Sequence, residues 1–157
     1  DVGDNVEGWR QGAHSIKWFV DNEDFKNGRN QSNDLPLIRY ADILMIKAEA
    51  ITRGATATKG DTPLSLFNQI RSYVTAPTID HNPSLDEIYE ERGREFFDEN
   101  LRRIDMIRFG HFEDEYGFHK QGFQNAKFDK FRRIFPLHKA NQLDTNPTWK
   151  QNPGYSK

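Results

Sequence analysis

The 157-residue sequence contains no cysteine, which excludes disulfides, Cys-based zinc sites and a thiol nucleophile. It also lacks any run approaching the roughly 20 apolar residues of a transmembrane helix. Its first residues, DVGDNVEGWRQG, have neither the basic start nor the apolar stretch of a signal peptide, so an exported parent is expected to carry its signal outside this chain. Surplus charge is equally scarce. A formal net charge of -2 leaves no clustered excess of lysine and arginine, so neither nucleic acid nor an anionic membrane surface is an expected partner. His111, His119 and His138 have no ligand spacing to one another, and no metal or cofactor is expected.

What is present describes a polar chain with a small core. Charged residues make up 29% and hydrophobic residues 35%, while 13% aromatics supply bulk to pack. One domain, or part of one, fits this length. Three stretches follow from composition: a loop-rich entry segment over 1–34, a helical core over 35–110 and an irregular segment over 111–157. The predicted class is mostly α, with helical hairpins, long irregular loops and at most short β segments.

The core is organised around Ser84 to Phe109. Ser84 followed by Glu87 reads as a capping box, in which each side chain satisfies a backbone N–H at the helix start. Leu85, Ile88, Tyr89 and Phe96 share one helical face, but Arg92, Glu99 and Arg103 fall on the same face. Ionised groups are costly to desolvate unless paired, so Arg92 and Arg103 are each expected to meet a carboxylate. Glu90 to Arg94, Asp98 to Arg102 and Glu99 to Arg103 have i,i+4 spacing in the favourable order. The Asp98-Glu99-Asn100 run is expected to break the helix, giving a helix, a corner and a second helix.

Glu95 and Glu99 could form an acid/base pair of the glycosidase kind. Each, however, has basic neighbours within one or two turns, which lower a carboxyl pKa and remove the protonated acid that such chemistry needs. Glu91, Arg92, Glu95, Glu99, Arg103 and Asp105 are therefore read as a structural ion-pair network.

Before this stretch, Leu37 to Arg53 is predicted as a helix apolar on two sides, ended by Gly54. Thr62-Pro63 opens its partner helix, with Leu66, Phe67, Ile70 and Tyr73 at helical spacing. The pair resembles a tetratricopeptide hairpin, although one unit of roughly 34 residues does not establish a repeat. In the entry segment, Ser15 to Val20 has the composition of a short strand. Trp9, His14 and Trp18 are the candidate ligand contacts there, because indole faces stack on sugar rings; the alternative is that Trp18 anchors a loop to the helices.

Four motifs, in order, resemble the SusD/RagB family over about residues 35–155. Leu37-Ile38-Arg39-Tyr40-Ala41-Asp42-Ile43-Leu44 with Ala48-Glu49-Ala50 is similar to its R-Y-A-E-V-L-L…A-E-A helix, and Phe67-Asn68-Gln69-Ile70-Arg71 to its L-N-x-V-R segment. Glu91-Arg92, Glu95, Glu99, Arg102 or Arg103, Asp105 and Arg108-Phe109-Gly110 match its E-R…E-L…E…R…D-L-R-R-W-G pattern. Gln151-Asn152-Pro153-Gly154-Tyr155, after Phe135-Pro136-Leu137 and Asn146-Pro147, looks like its C-terminal signature. Gly93, Asn100, Phe109 and Tyr73-Val74 depart from the family pattern.

The resemblance implies the C-terminal part of a tetratricopeptide-based, surface-exposed outer-membrane lipoprotein. Such a protein binds an oligosaccharide without catalysis and passes it to a SusC-like TonB-dependent transporter. Its membrane association would run through a lipid anchor absent from this chain. Peptide capture is the alternative within the family, and hydrolysis by Glu95 and Glu99 the alternative outside it.

Overall fold

In this computed structural model the residues described are 17–18, 34, 36–114 and 129–156. They divide into two compact units, one running to Arg102 and one from Arg103 onward. Among the described residues there are four α-helices, a short 3-10 turn, a single wider turn of π type, and no strand. The chain is mostly α, as its periodicities predict. Of the expected short strand over 15–20, Lys17 and Trp18 lie in a turn instead, and its other residues fall outside those described.

The first unit is built on α1 (Tyr40–Thr52), α2 (Pro63–Tyr73) and α3 (Leu85–Glu95), with α1 packed against both of the others. Helix α1 begins at Tyr40 rather than at Leu37, because Arg39 is extended at φ -111°, ψ 154° and Leu37 and Ile38 remain exposed. It ends in a Schellman motif, in which Gly54 N–H donates to Ile51 C=O and Ala55 N–H to Ala50 C=O, both at 2.9 Å. Gly54 carries the left-handed φ of +103° that this closure requires.

Helix α2 closes in the same way, with Ala76 N–H on Arg71 C=O at 2.8 Å and Thr75 N–H on Ser72 C=O at 3.1 Å. Here the left-handed position, at φ +55°, is a β-branched threonine. Thr75→Gly should therefore raise stability, by about 1 kcal/mol, because the relieved strain exceeds the extra chain entropy of glycine. A thermal melt that fell on this substitution would refute the assignment.

Both predicted caps form. Thr62 Oγ1 accepts from Ser65 N–H at 3.0 Å and opens α2 ahead of Pro63, while Ser84 and Glu87 exchange reciprocal bonds at the start of α3. Between α2 and α3, Asn68 holds the connection as a backbone strand would. Its side chain donates to Ile79 C=O at 2.8 Å and accepts from Ile79 N–H at 3.0 Å.

The core of this unit is Leu44, Met45 and Ala48 of α1, Leu66, Phe67 and Ile70 of α2, Ile88 and Tyr89 of α3, and Phe96 just beyond it. Each large side chain buried there contributes about 1.5–3 kcal/mol relative to exposure. Only one side of α1 is covered: Ile43 and Ile46 of its second apolar face remain open.

The second unit contains α4 (Arg102–Phe109), apart from its first residue, and places Met106 and Phe112 in its core. Its C-terminal residues form a clasp made of side chains. Gln151 accepts from Leu137 N–H at 2.8 Å and donates to Leu137 C=O at 2.9 Å, and Asn152 donates to Phe135 C=O at 2.8 Å. Tyr155 donates its hydroxyl to Ile134 C=O at 2.8 Å and meets Phe131 edge to face at 4.9 Å. Gly154, at φ +90°, lies so close to Phe131 that a Cβ there would stand 2.4 Å from the ring. The QNPGY sequence thus supplies the hydrogen bonds of a partner strand where none runs.

Candidate functional site

The site grows out of the corner after α3. Phe96 is buried and caps the helix; Asp98 and Asn100 then take left-handed conformations at φ +66° and +61°. Asparagine and aspartate tolerate that region better than other side chains, so the break falls where the sequence places it. Turning the chain here leaves carbonyls at the C-terminal end of α3 facing outward, where the helix dipole favours cations. Lys17 bonds the Glu95 carbonyl, Arg39 Nη2 donates to the same oxygen at 3.1 Å, and Trp18 Nε1 donates to Asp98 C=O at 3.1 Å.

The corner also brings Glu95 and Glu99 to one guanidinium. Arg39 donates through Nη2 to Glu95 Oε1 at 2.8 Å and to Glu99 Oε1 at 2.7 Å, and through Nε to Glu99 Oε2 at 2.9 Å. Lys17 completes the cluster on Glu99. Burial pushes the Glu99 carboxyl up, but the hydrogen bonds and charges of Arg39 and Lys17 outweigh it and leave its pKa below the ordinary glutamate value. Between two carboxylates that would have to flank a glycosidic bond, this structure holds a cation. Both carboxylates are thus engaged by the one guanidinium.

Further ion pairs stand within each of the two units. Buried Arg92 donates to Asp42 Oδ1 at 2.8 Å, and the Arg39 and Arg92 guanidiniums both lie over the Phe96 ring, at 5.1 and 4.9 Å. Glu91 accepts from Arg71 at 2.5 Å and from Arg94 at 2.7 Å. Asp105 is paired with Arg108 at 3.3 Å.

Several partners differ from those expected by spacing. Arg94 takes Glu91 rather than Glu90, and Glu90 goes to Arg102 at 3.3 Å. Arg102 lies over the Tyr89 ring at 3.7 Å and passes Gly93, where a Cβ would stand 2.6 Å from its guanidinium. Arg103 meets no carboxylate among the described residues. It donates to the carbonyls of Arg132 and Arg133 at 2.7 and 3.1 Å and stacks on Phe135 at 4.1 Å. The cause is the corner itself: once α3 ends at Glu95, residues 98 and 102, or 99 and 103, no longer sit one turn apart.

Beside the Arg39–Glu95 pair opens a cavity of about 640 Å³ between α1 and α2. Ala41, Leu44 and Ile70 provide its apolar surface, Gln69 with Arg39 and Glu95 its polar groups, and Tyr40 and Tyr73 its aromatic ones. Tyr40 is 69% and Tyr73 89% exposed, so both rings are open to solvent. Sequence reasoning missed Arg39, Asp42 and Lys17 as partners and Tyr73 as a wall. The available signal was a charged Arg39 and Asp42 at the start of an otherwise apolar helix.

Of the three sequence candidates, Trp18 is 38% exposed, with its indole N–H fixed on Asp98 and part of its surface free. Trp9 and His14 lie outside the described residues. Among those described, no three His, Cys, Asp or Glu side chains stand together as a metal would require.

Comparison with known proteins accounts for these motifs together. The starch-binding protein SusD of Bacteroides thetaiotaomicron is 26% identical over 158 residues, an alignment covering 97% of this chain. The chain spans only 28% of that relative's length. The SusD family model matches residues 2–155, so nearly every element described above falls within it, and the chain belongs to the SusD family.

Proposed function

We propose that the chain is part of a non-catalytic protein that binds oligosaccharide nutrients at the outer-membrane surface and delivers them to a SusC-like TonB-dependent transporter. Family membership and the starch-binding relative support the carbohydrate class. The observation that carries the binding role is that Arg39 occupies both Glu95 and Glu99 beside a cavity faced by Tyr40 and Tyr73. Aromatic rings stack on the apolar faces of sugars, while Gln69 and the charged rim can bond hydroxyls. Trp18, anchored by its edge, offers a further stacking surface, and Trp9 and His14 are proposed as ligand contacts on their residue types alone.

Titration of the protein with maltoheptaose and with tripeptides separates glycan from peptide binding. Saturable binding of the glycan, weakened by Tyr73→Ala and Trp18→Ala, is the expected result. Binding of peptides alone would reject the carbohydrate class. In parallel, Glu95→Gln and Glu99→Gln should each lower the melting temperature, since Arg39 loses a charged partner. No glycoside hydrolysis is expected from the parent protein; turnover abolished by either substitution would reinstate the catalytic reading.

A further inference from the structure

A second pocket, of about 340 Å³, lies wholly within the second unit, lined by Lys139, Leu143, Asp144, Pro147 and Trp149. Its polar groups are unspent. Among the described residues, the Asp144 carboxylate, the Lys139 ammonium and the Trp149 indole N–H make no hydrogen bond or ion pair. Most charged side chains of this unit behave otherwise. Arg133 forks onto Glu113 with two bonds of 2.6 Å, Arg108 takes Asp105 and Arg132 takes Asp129.

The walls nevertheless sit on a fixed frame. His138 N–H donates to Gln142 Oε1 at 2.9 Å, Asp144 N–H to Lys139 C=O at 2.9 Å, and Asn146 Nδ2 to Gln142 C=O at 3.0 Å. Trp149 N–H donates to Asn146 C=O at 2.9 Å, across a Pro147 whose φ is locked by its ring. Gln151, two residues beyond Trp149, is clasped to Leu137 through both the oxygen and the nitrogen of its side-chain amide. Such a frame orders the pocket before a ligand arrives, which removes part of the entropic cost of binding.

We infer that this pocket is a second saccharide-binding site, in which Trp149 stacks on a sugar ring while Asp144 accepts from, and Lys139 donates to, its hydroxyls. Trp149 is 49% exposed, so an indole surface is available to the C–H face of a pyranose. Lys139 and Asp144 cancel in charge, so the pocket favours an uncharged polyol over an anion or a cation. Its volume lies at the small end of ligand sites and suits one or two sugar rings. The sugar class rests on the function proposed above; the location does not.

The test is titration of the ¹⁵N-labelled 157-residue chain with maltoheptaose, cellohexaose, mannohexaose and xylohexaose. The Trp149 indole resonance is assigned by its loss in Trp149→Phe, and that of Trp18 in the same way. Saturable movement of the Trp149 resonance with at least one glycan is expected. Asp144→Asn and Lys139→Met, both at exposed positions, should weaken that binding about tenfold, the equivalent of one lost hydrogen-bonding group. If glycans shift the Trp18 resonance and never that of Trp149, this site is refuted and the proposed function stands. If neither moves, this site is refuted as well, while the proposed function still rests on the separate cavity of Tyr40 and Tyr73. Movement of Trp149 with trilysine or triglutamate but no glycan also overturns the inference.

Discussion

Arg92→Ala is expected to destabilise the protein by about 3–5 kcal/mol, the range found when one partner of a buried ion pair is removed. Arg92 is only 4% exposed, and its guanidinium is held by Asp42 at 2.8 Å over the Phe96 ring. Without it, the Asp42 carboxylate, itself largely covered, loses this cation. A cavity opens beside Phe96 at the same time. The pair also joins α1 to α3, so its loss acts on the packing of the whole first unit. Urea denaturation of Arg92→Met, Asp42→Leu and the double variant isolates the cause. The double variant should be more stable than either single one, because two apolar groups replace a pair and no charge is stranded. A loss below about 1 kcal/mol for Arg92→Ala, or strict additivity in the cycle, would show that the pair is not the source.

Arg39→Met is expected to be next in size, at about 2–4 kcal/mol near neutral pH, because it removes the cation common to Glu95 and Glu99. Both carboxylates are mostly buried, and their mutual repulsion then falls on Lys17 alone. The pH dependence identifies the mechanism. Glu99 has a folded pKa depressed below its unfolded value near 4.5. Its contribution to stability is therefore complete above that value and is lost as the pH falls through the folded pKa. In Arg39→Met, burial acts on Glu99 with only Lys17 opposing it, so the folded carboxyl takes up its proton at higher pH than in the parent and the variant loses less stability on acidification. The difference between parent and variant should narrow below about pH 4, where protonation removes the stranded charge. A gap that stayed constant from pH 7 to pH 3 would point to lost packing on Phe96 instead.

The two substitutions bear on function differently. Arg92 lies behind the corner and supports it, whereas Arg39 faces the cavity between Tyr40 and Glu95. Arg39→Met should therefore also weaken glycan binding at that cavity, while Arg92→Ala, in molecules that remain folded, should change it little.

Much of the fold was legible in the sequence, because its signals are local. A hydroxyl at an N-cap reaches an N–H within the next turn, so Ser84 with Glu87 and Thr62 before Pro63 marked two helix starts. A left-handed residue closes a helix through its own neighbours, so Gly54 marked an end. The corner was legible for the same reason, since Asp98 and Asn100 accept positive φ with little strain. Family membership was legible because four motifs stand in order, and each proves to be structural: Asn68 clasps Ile79, Arg71 meets Glu91, Arg39 and Asp42 grip the corner, and Gln151 to Tyr155 bind the Ile134 to Leu137 segment.

The sequence by itself thus determined the helical class, the three helix starts and ends that caps define, the break at Asp98 to Asn100 and the family. The tertiary structure decided which charges meet. Spacing assigned Glu99 to Arg103 and Asp98 to Arg102, whereas the corner removed the i,i+4 register and gave Glu99 to Arg39 and Lys17. It also decided where open aromatic surface stands beside unspent polar groups. Ion-pair partners and pocket walls are set by distances through space between residues as far apart in the chain as Lys17 and Glu99, and no periodicity records those distances.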